Sequence, residues 1–188
     1  MSYCFEEIGT FELTQPILRV SDPCYNKDVW CSLVLPNAKV GTWEAAVSYV
    51  DSDSWGHRVA ALAVRHANGP FFENFANPEN LPVLGSYPKN NIHLNNSLAG
   101  VDSGQCGFFD DLFYGDDDVC KNMEITVDYG SPWYNMCCDT TLSEEKCGVV
   151  PYGAVSSSGV GDGAYGLYYM LKDGQVVAAM LQFMFPGE

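Results

Sequence analysis

Near its C-terminal end the chain reads YGLYYMLKDGQVVAAMLQFMF (165–185), two apolar runs parted by Asp173-Gly174. Asp-Gly supplies the two positive φ angles of a type I′ turn, whose twist matches that of paired strands. Two long antiparallel strands are therefore expected here. A lone hairpin is marginal in water, so this one commits the chain to a larger sheet. The same pattern recurs in TWEAAVSYV (42–50) and HRVAALAVRHA (57–67), joined by the turn-rich DSDSWG. In the second run Val59, Ala61, Ala63 and Arg65 share one face, while Ala60, Leu62, Val64 and His66 share the other. Small apolar residues on both faces place such a strand in the middle of a sheet. ILRVSD (17–22) alternates and then stops at Asp22-Pro23.

Helix signals are short. Ser131-Pro132 pairs an N-cap with proline at the first helical position and opens WYNMCCDTT (133–141). Thr141 and Glu144 have capping-box spacing for a further turn or two, with Gly148 placed to stop it. FFDDLFY (108–114) reads as a helix with Phe108, Phe109 and Leu112 inward and Asp110 and Asp111 toward water. From 68 to 97 the text becomes rich in asparagine and proline, which oppose regular backbone pairing. This stretch is expected to be a long insertion or loop, with Phe71, Phe72, Phe75 and Tyr87 packing down. The expected fold class is mainly β (α+β): one domain over 1–188, an antiparallel sheet or sandwich with a few short helices.

Composition narrows the function. A chain that is 47% hydrophobic and 13% aromatic is globular and not disordered. With 24 acidic against 9 basic residues, the net charge is −15. Phosphate contacts need lysine and arginine, so direct nucleic-acid binding is excluded, and any macromolecular partner is expected to be basic or bridged by cations. MSYCFEEIGTFELTQPILRV at the N-terminus has no basic region followed by an apolar stretch, and no run approaches the ~20 apolar residues that cross a bilayer. The expectation is a cytoplasmic protein with no membrane association. Eight cysteines, two of them adjacent at 137–138 and none in C-x-x-C spacing, read as buried reduced thiols.

Several chemistries fail on inspection. Asp102-Ser103-Gly104 resembles the D-S/T-G triplet of aspartic proteases, but a second triplet to share the proton does not occur. Gln105-Cys106-Gly107 would suit a cysteine nucleophile, yet His57, His66 and His93 all precede it, against the commoner order of such hydrolases. Gly161-Asp162-Gly163-Ala164-Tyr165-Gly166 spells G-x-G-x-x-G, but a strand follows where a dinucleotide needs a helix, and Asp162 would repel phosphate. DSDSWGHRVAAL begins like a calcium loop and fails at Trp55 and Leu62. GDDD (115–118) reads as a solvated turn, and zinc lacks paired-ligand spacing. No cofactor or metal is expected.

What survives is a set of polar turns: SDPCY (21–25), DSGQ (102–105), Trp133-Tyr134 and SSSGVGDGAY (156–165). In SDPCY, VDSGQCGFFDD, WYNMCCDTT and SSSGVGDGAYGLYY, the chain resembles a family of small bacterial domains of unknown function, found mainly in Firmicutes and sometimes on mobile elements. D-S-G-Q and G-D-G-x-Y carry the resemblance most specifically, and the order of segments matches from about residue 9 onward. It implies a bacterial, intracellular, single-domain protein and carries over no catalytic residues.

The expected function is that of a non-enzymatic module binding a small ligand at a cleft edge formed by these turns. Asp102 and Asp162 accept bonds from a cationic or hydroxylated ligand, Ser103 and Gln105 orient it, and Trp133 and Tyr165 supply stacking area. The alternative is an acidic immunity protein or DNA mimic that engages a basic protein partner. A cysteine- or aspartate-dependent hydrolase is the third reading.

Overall fold

A computed structural model describes residues 1–187. In chain order the strands are β1 (Phe5–Leu13), β2 (Ile17–Ser21), β3 (Leu33–Pro36), β4 (Gly41–Ser52), β5 (Gly56–His66), β6 (Ile92–Leu94), β7 (Ala99–Val101) and β8 (Gln105–Asp110). The helix α1 (Pro132–Thr141) follows, then β9 (Cys147–Val150), β10 (Gly153–Ser157), β11 (Gly163–Lys172) and β12 (Gln175–Gln182). The fold is mainly β, built from two antiparallel sheets. The larger runs β1-β4-β5-β12-β11-β6, with β7 also pairing β11; the smaller runs β3-β2-β8-β10-β9.

The hairpins follow their local code. Asp173 and Gly174 take φ of 53° and 78°, and Lys172 faces Gln175 across the turn. β4 and β5 pair from Trp43 with His66 out to Ser52 with Gly56. β5 lies between β4 and β12, and every residue from Val59 to Val64 is fully buried, which accounts for its unbroken apolar text.

Each sheet is covered on both faces. Trp43, Val47, Leu62 and Leu181 of the large sheet share one core with Leu18, Val20, Phe108 and Ala154 of the small one. The opposite face of the large sheet is bedded with alanine and covered by the 3₁₀ turn at Phe72–Phe75 together with Tyr3. Tyr3 N donates to Ala76 O at 2.7 Å, and the Arg65 guanidinium lies 5.3 Å from the rings of both Phe71 and Phe72. Within the Asn/Pro-rich stretch, Phe72 and Phe75 are buried while Phe71 and Tyr87 are exposed. On the outer face of the small sheet, Phe109, Val150 and Val155 form a second core with Trp133, Met136 and Cys137 of α1. Among the described residues no helix is long and apolar enough to cross a membrane.

The packing-down expected of Phe71 and Tyr87 is corrected by their exposure, and two further local expectations fail. Residues 108–114 are not a helix: Phe108 and Phe109 belong to β8, whose six residues are all buried between β2 and β10, and Leu112 is exposed in a turn. The two phenylalanines therefore point to opposite faces, one into each core. Asp110 ends the strand, its buried carboxylate accepting Thr14 N and Thr14 Oγ1, both at 2.6 Å, and Leu112 N at 2.9 Å. Thr141 opens no second helix either. It closes α1 with its hydroxyl 3.1 Å from Cys137 O, and Gly148 lies within β9.

Candidate functional site

Asp22, directly after β2, organises the region. It is fully buried, and each carboxylate oxygen accepts two hydrogen bonds. Oδ1 takes Cys24 N at 2.8 Å and Ser103 Oγ at 2.6 Å; Oδ2 takes Asp102 N at 2.8 Å and Ser103 N at 2.7 Å. The S-D-P-C-Y and D-S-G turns are thereby fastened through charge-assisted bonds, the strong class of neutral-to-ion contact. Above them the Tyr114 hydroxyl lies 2.8 Å from Asp22 O, 2.9 Å from Tyr25 O and 3.1 Å from Ser21 Oγ. Arg19 sits 5.3 Å from the centre of the Tyr114 ring, with Nε 2.5 Å from the Asp111 carboxylate.

The N-terminus of α1 forms the facing wall. Ser131 caps it as its sequence position requires, Oγ accepting Tyr134 N at 3.3 Å. Asp117 accepts Trp133 N at 2.9 Å, and Asn135 Oδ1 gathers Tyr129 N and Gly130 N at 2.7 and 2.9 Å. Trp133 packs against Tyr114 and Phe109 with ring centres 4.7 and 5.3 Å apart. The Phe109 ring lies on a floor of two glycines, since a Cβ on either Gly107 or Gly153 would stand 2.5 Å from its atoms.

Between these walls opens a cleft of about 670 Å³, lined by residues 23–27, Tyr114, Gly115, Gly130, Ser131, Trp133 and Tyr134. Its one lining cation, Lys27, donates to the Asp111 carbonyl and lies 3.7 Å from the Asp111 carboxylate. Burial, and then the Asp22 charge, push the Cys24 thiol up to about 12. Burial raises the Tyr25 phenol as well, helped by its bond to the Asp102 carboxylate. The fully buried Cys106 is raised by burial first and by Asp22 second. Cys24 is exposed yet protonated, so its alkylation by iodoacetamide at pH 8 is expected to run roughly 10–100 times slower than that of free cysteine, the scarcity of thiolate outweighing its higher intrinsic nucleophilicity. Peptide mapping over time measures this; labelling at the free-cysteine rate would refute it.

Of the residues singled out in the sequence, Trp133 lines the cleft. Ser103 is spent on Asp22. Gln105 is buried beneath α1, with Nε2 3.2 Å from Cys138 Sγ and Oε1 3.1 Å from Thr141 Oγ1, so it holds the helix and faces no opening. The Tyr165 hydroxyl is turned inward, donating within the 158–161 turn to Gly161 O at 2.6 Å and Ser158 O at 3.0 Å. The D-S-G-Q and G-D-G-x-Y turns do meet. Ser158 N donates to Gly104 O at 3.0 Å, and Gly163 pairs with Val101. They meet as packed backbone, however. Asp102 and Asp162 are both exposed, and neither is part of the cleft lining.

The wall residues Tyr25, Lys27, Tyr114 and Tyr134 were not singled out as binding residues from the sequence. Tyr25 and Tyr134 stand in polar turns already marked, so the signal for them was present; Tyr114 was hidden inside the supposed helix. Among the described residues no group of three or more histidine, cysteine or acidic side chains is placed to hold a metal ion. No family model, curated protein or solved structure matches the chain, so function has to be read from this site.

Proposed function

We propose that the protein is a non-enzymatic binding module and that its ligand enters the cleft between residues 23–27 and the N-terminus of α1. One observation carries this: an open concavity of about 670 Å³ walled by Tyr25, Tyr114, Trp133 and Tyr134, with its supporting turns held from beneath by Asp22. That volume falls in the ~300–1,000 Å³ range of small-molecule sites, and rigid aromatic walls spare a ligand the cost of ordering them. Eight cysteines without a bridge, six of them buried, support a reducing compartment such as the cytoplasm. Titration with a fragment library, followed by amide chemical shifts, is expected to perturb residues 23–27 and 130–134 together. Tyr134→Ala should abolish those shifts while the rest of the spectrum stays unchanged. Shifts confined to other surfaces, or none across the library, would refute the reading.

Charge placement favours a second reading, an acidic surface for a basic protein partner. Residues 111–145, the layer outside the small sheet, contain nine of the 24 acidic residues against one lysine, Lys121. Such an association would weaken steeply between low and physiological salt.

A further inference from the structure

We infer that the ligand is uncharged and hydroxyl-rich, a sugar ring or short oligosaccharide; this rests on the cleft being the binding site. Charge decides the class. A helix N-terminus ordinarily favours anions, but the donors of α1 are already spent. Trp133 N serves the Asp117 carboxylate, while Tyr134 N and Asn135 N serve Ser131 Oγ and Ser131 O. An incoming anion would find no free amide there, and it would meet the Asp117 charge and that of Asp22 beneath the floor. Phosphates and carboxylates are disfavoured on both counts.

A cation would have to compete with side chains already in place. Lys27 is on the lining, its side chain 44% exposed, and the Arg19 guanidinium already occupies a position 5.3 Å from the Tyr114 ring centre. At Tyr114 the cation–π attraction that an aromatic wall would offer an ammonium ion is thus already taken, and Lys27 stands on the lining as the resident cation.

What the cleft offers instead is ring surface beside hydrogen-bonding groups. Tyr25 and Tyr134 are half-buried, and among the described residues neither stacks on another aromatic ring. Around them stand the exposed Asn26, which can donate and accept, and Lys27, which shares the Asp111 carboxylate with Arg19 and keeps further N–H donors available. Apolar ring faces edged by such groups match a pyranose, which presents C–H bonds on its faces and hydroxyls around its rim.

Saturation-transfer NMR on the full chain tests this with three probes: neutral oligosaccharides (maltotriose, chitotriose and a neutral glycan array), choline, and benzoate. Transfer to oligosaccharide ring protons is expected, with affinity falling roughly tenfold or more in Tyr134→Ala and Tyr25→Ala. Lys27→Met and Asn26→Ala, both at exposed positions, provide the same readout should either tyrosine variant fail to fold. If choline or benzoate binds at the cleft and the sugars do not, the ligand class is overturned and the binding site stands. Silence from all three overturns the ligand class, and if the fragment library is silent as well, the binding site falls with it.

Discussion

Asp22→Ala is expected to lower the free energy of unfolding by about 3–6 kcal/mol, a large part of the ~5–15 kcal/mol that stabilises a domain. The substitution strips partners from three backbone amides, those of Cys24, Asp102 and Ser103, and from the Ser103 hydroxyl. Donors left unpaired cost up to ~1–3 kcal/mol each, less where water reaches these part-buried groups, and release from burying a charge recovers part of the sum. Asp22→Asn keeps one carbonyl oxygen for these amides but turns an N–H₂ group toward others, so an intermediate loss is expected. Urea denaturation gives the magnitude. The spectrum should separate this loss from a general softening, with shifts at residues 23–27 and 102–104 and little change in the 163–182 hairpin. A loss below about 1 kcal/mol would mean that water replaces the carboxylate, and the rigid-wall account of the cleft would fail with it.

Phe75→Ala should cost about 3–5 kcal/mol, as buried aromatic truncations do. The residue stands in a stretch whose asparagines and prolines read as a loop, and yet its side chain is fully buried. It belongs to the core that contains Ala46, Ala61, Ala63 and Ala178, small residues that leave depth for an aromatic ring. Tyr3, bonded to Ala76 O, seats the N-terminus against the same turn. Deleting the ring would leave a cavity that the alanine bed is too short to fill. Exposed Asn74 in the same turn is the control, since its replacement by alanine should shift stability by less than about 1 kcal/mol. Equal effects at 74 and 75 would show that the segment is merely draped over the sheet.

Much of the fold was legible because its hairpins are coded locally. Asp173-Gly174 specifies both positive φ angles, and the double-sided apolar text of residues 59–64 places β5 inside a sheet. The failure at 108–114 has a physical source. Two adjacent phenylalanines fit one face of a helix, and they fit equally a strand with a core on either side; only α1, a non-local covering, decides between them. The site divides in the same way. The sequence marks the turns that meet, since glycine and aspartate announce them. It does not say which turns pack shut and which stay open. Tyr165 and Gln105 were drawn inward by bonds to residues 158–161 and to α1, and Asp22, which looked like a strand-end aspartate, holds together segments some 80 positions apart in the chain.

Gly107 and Gly153 let the Phe109 ring lie flat on the small sheet, and Trp133 rides on that ring. Adding one methyl group to either glycine would place it 2.5 Å from the Phe109 ring and displace the surface on which the indole packs. On the proposed reading, the depth open to a guest is set two storeys below, at two glycines it would never touch.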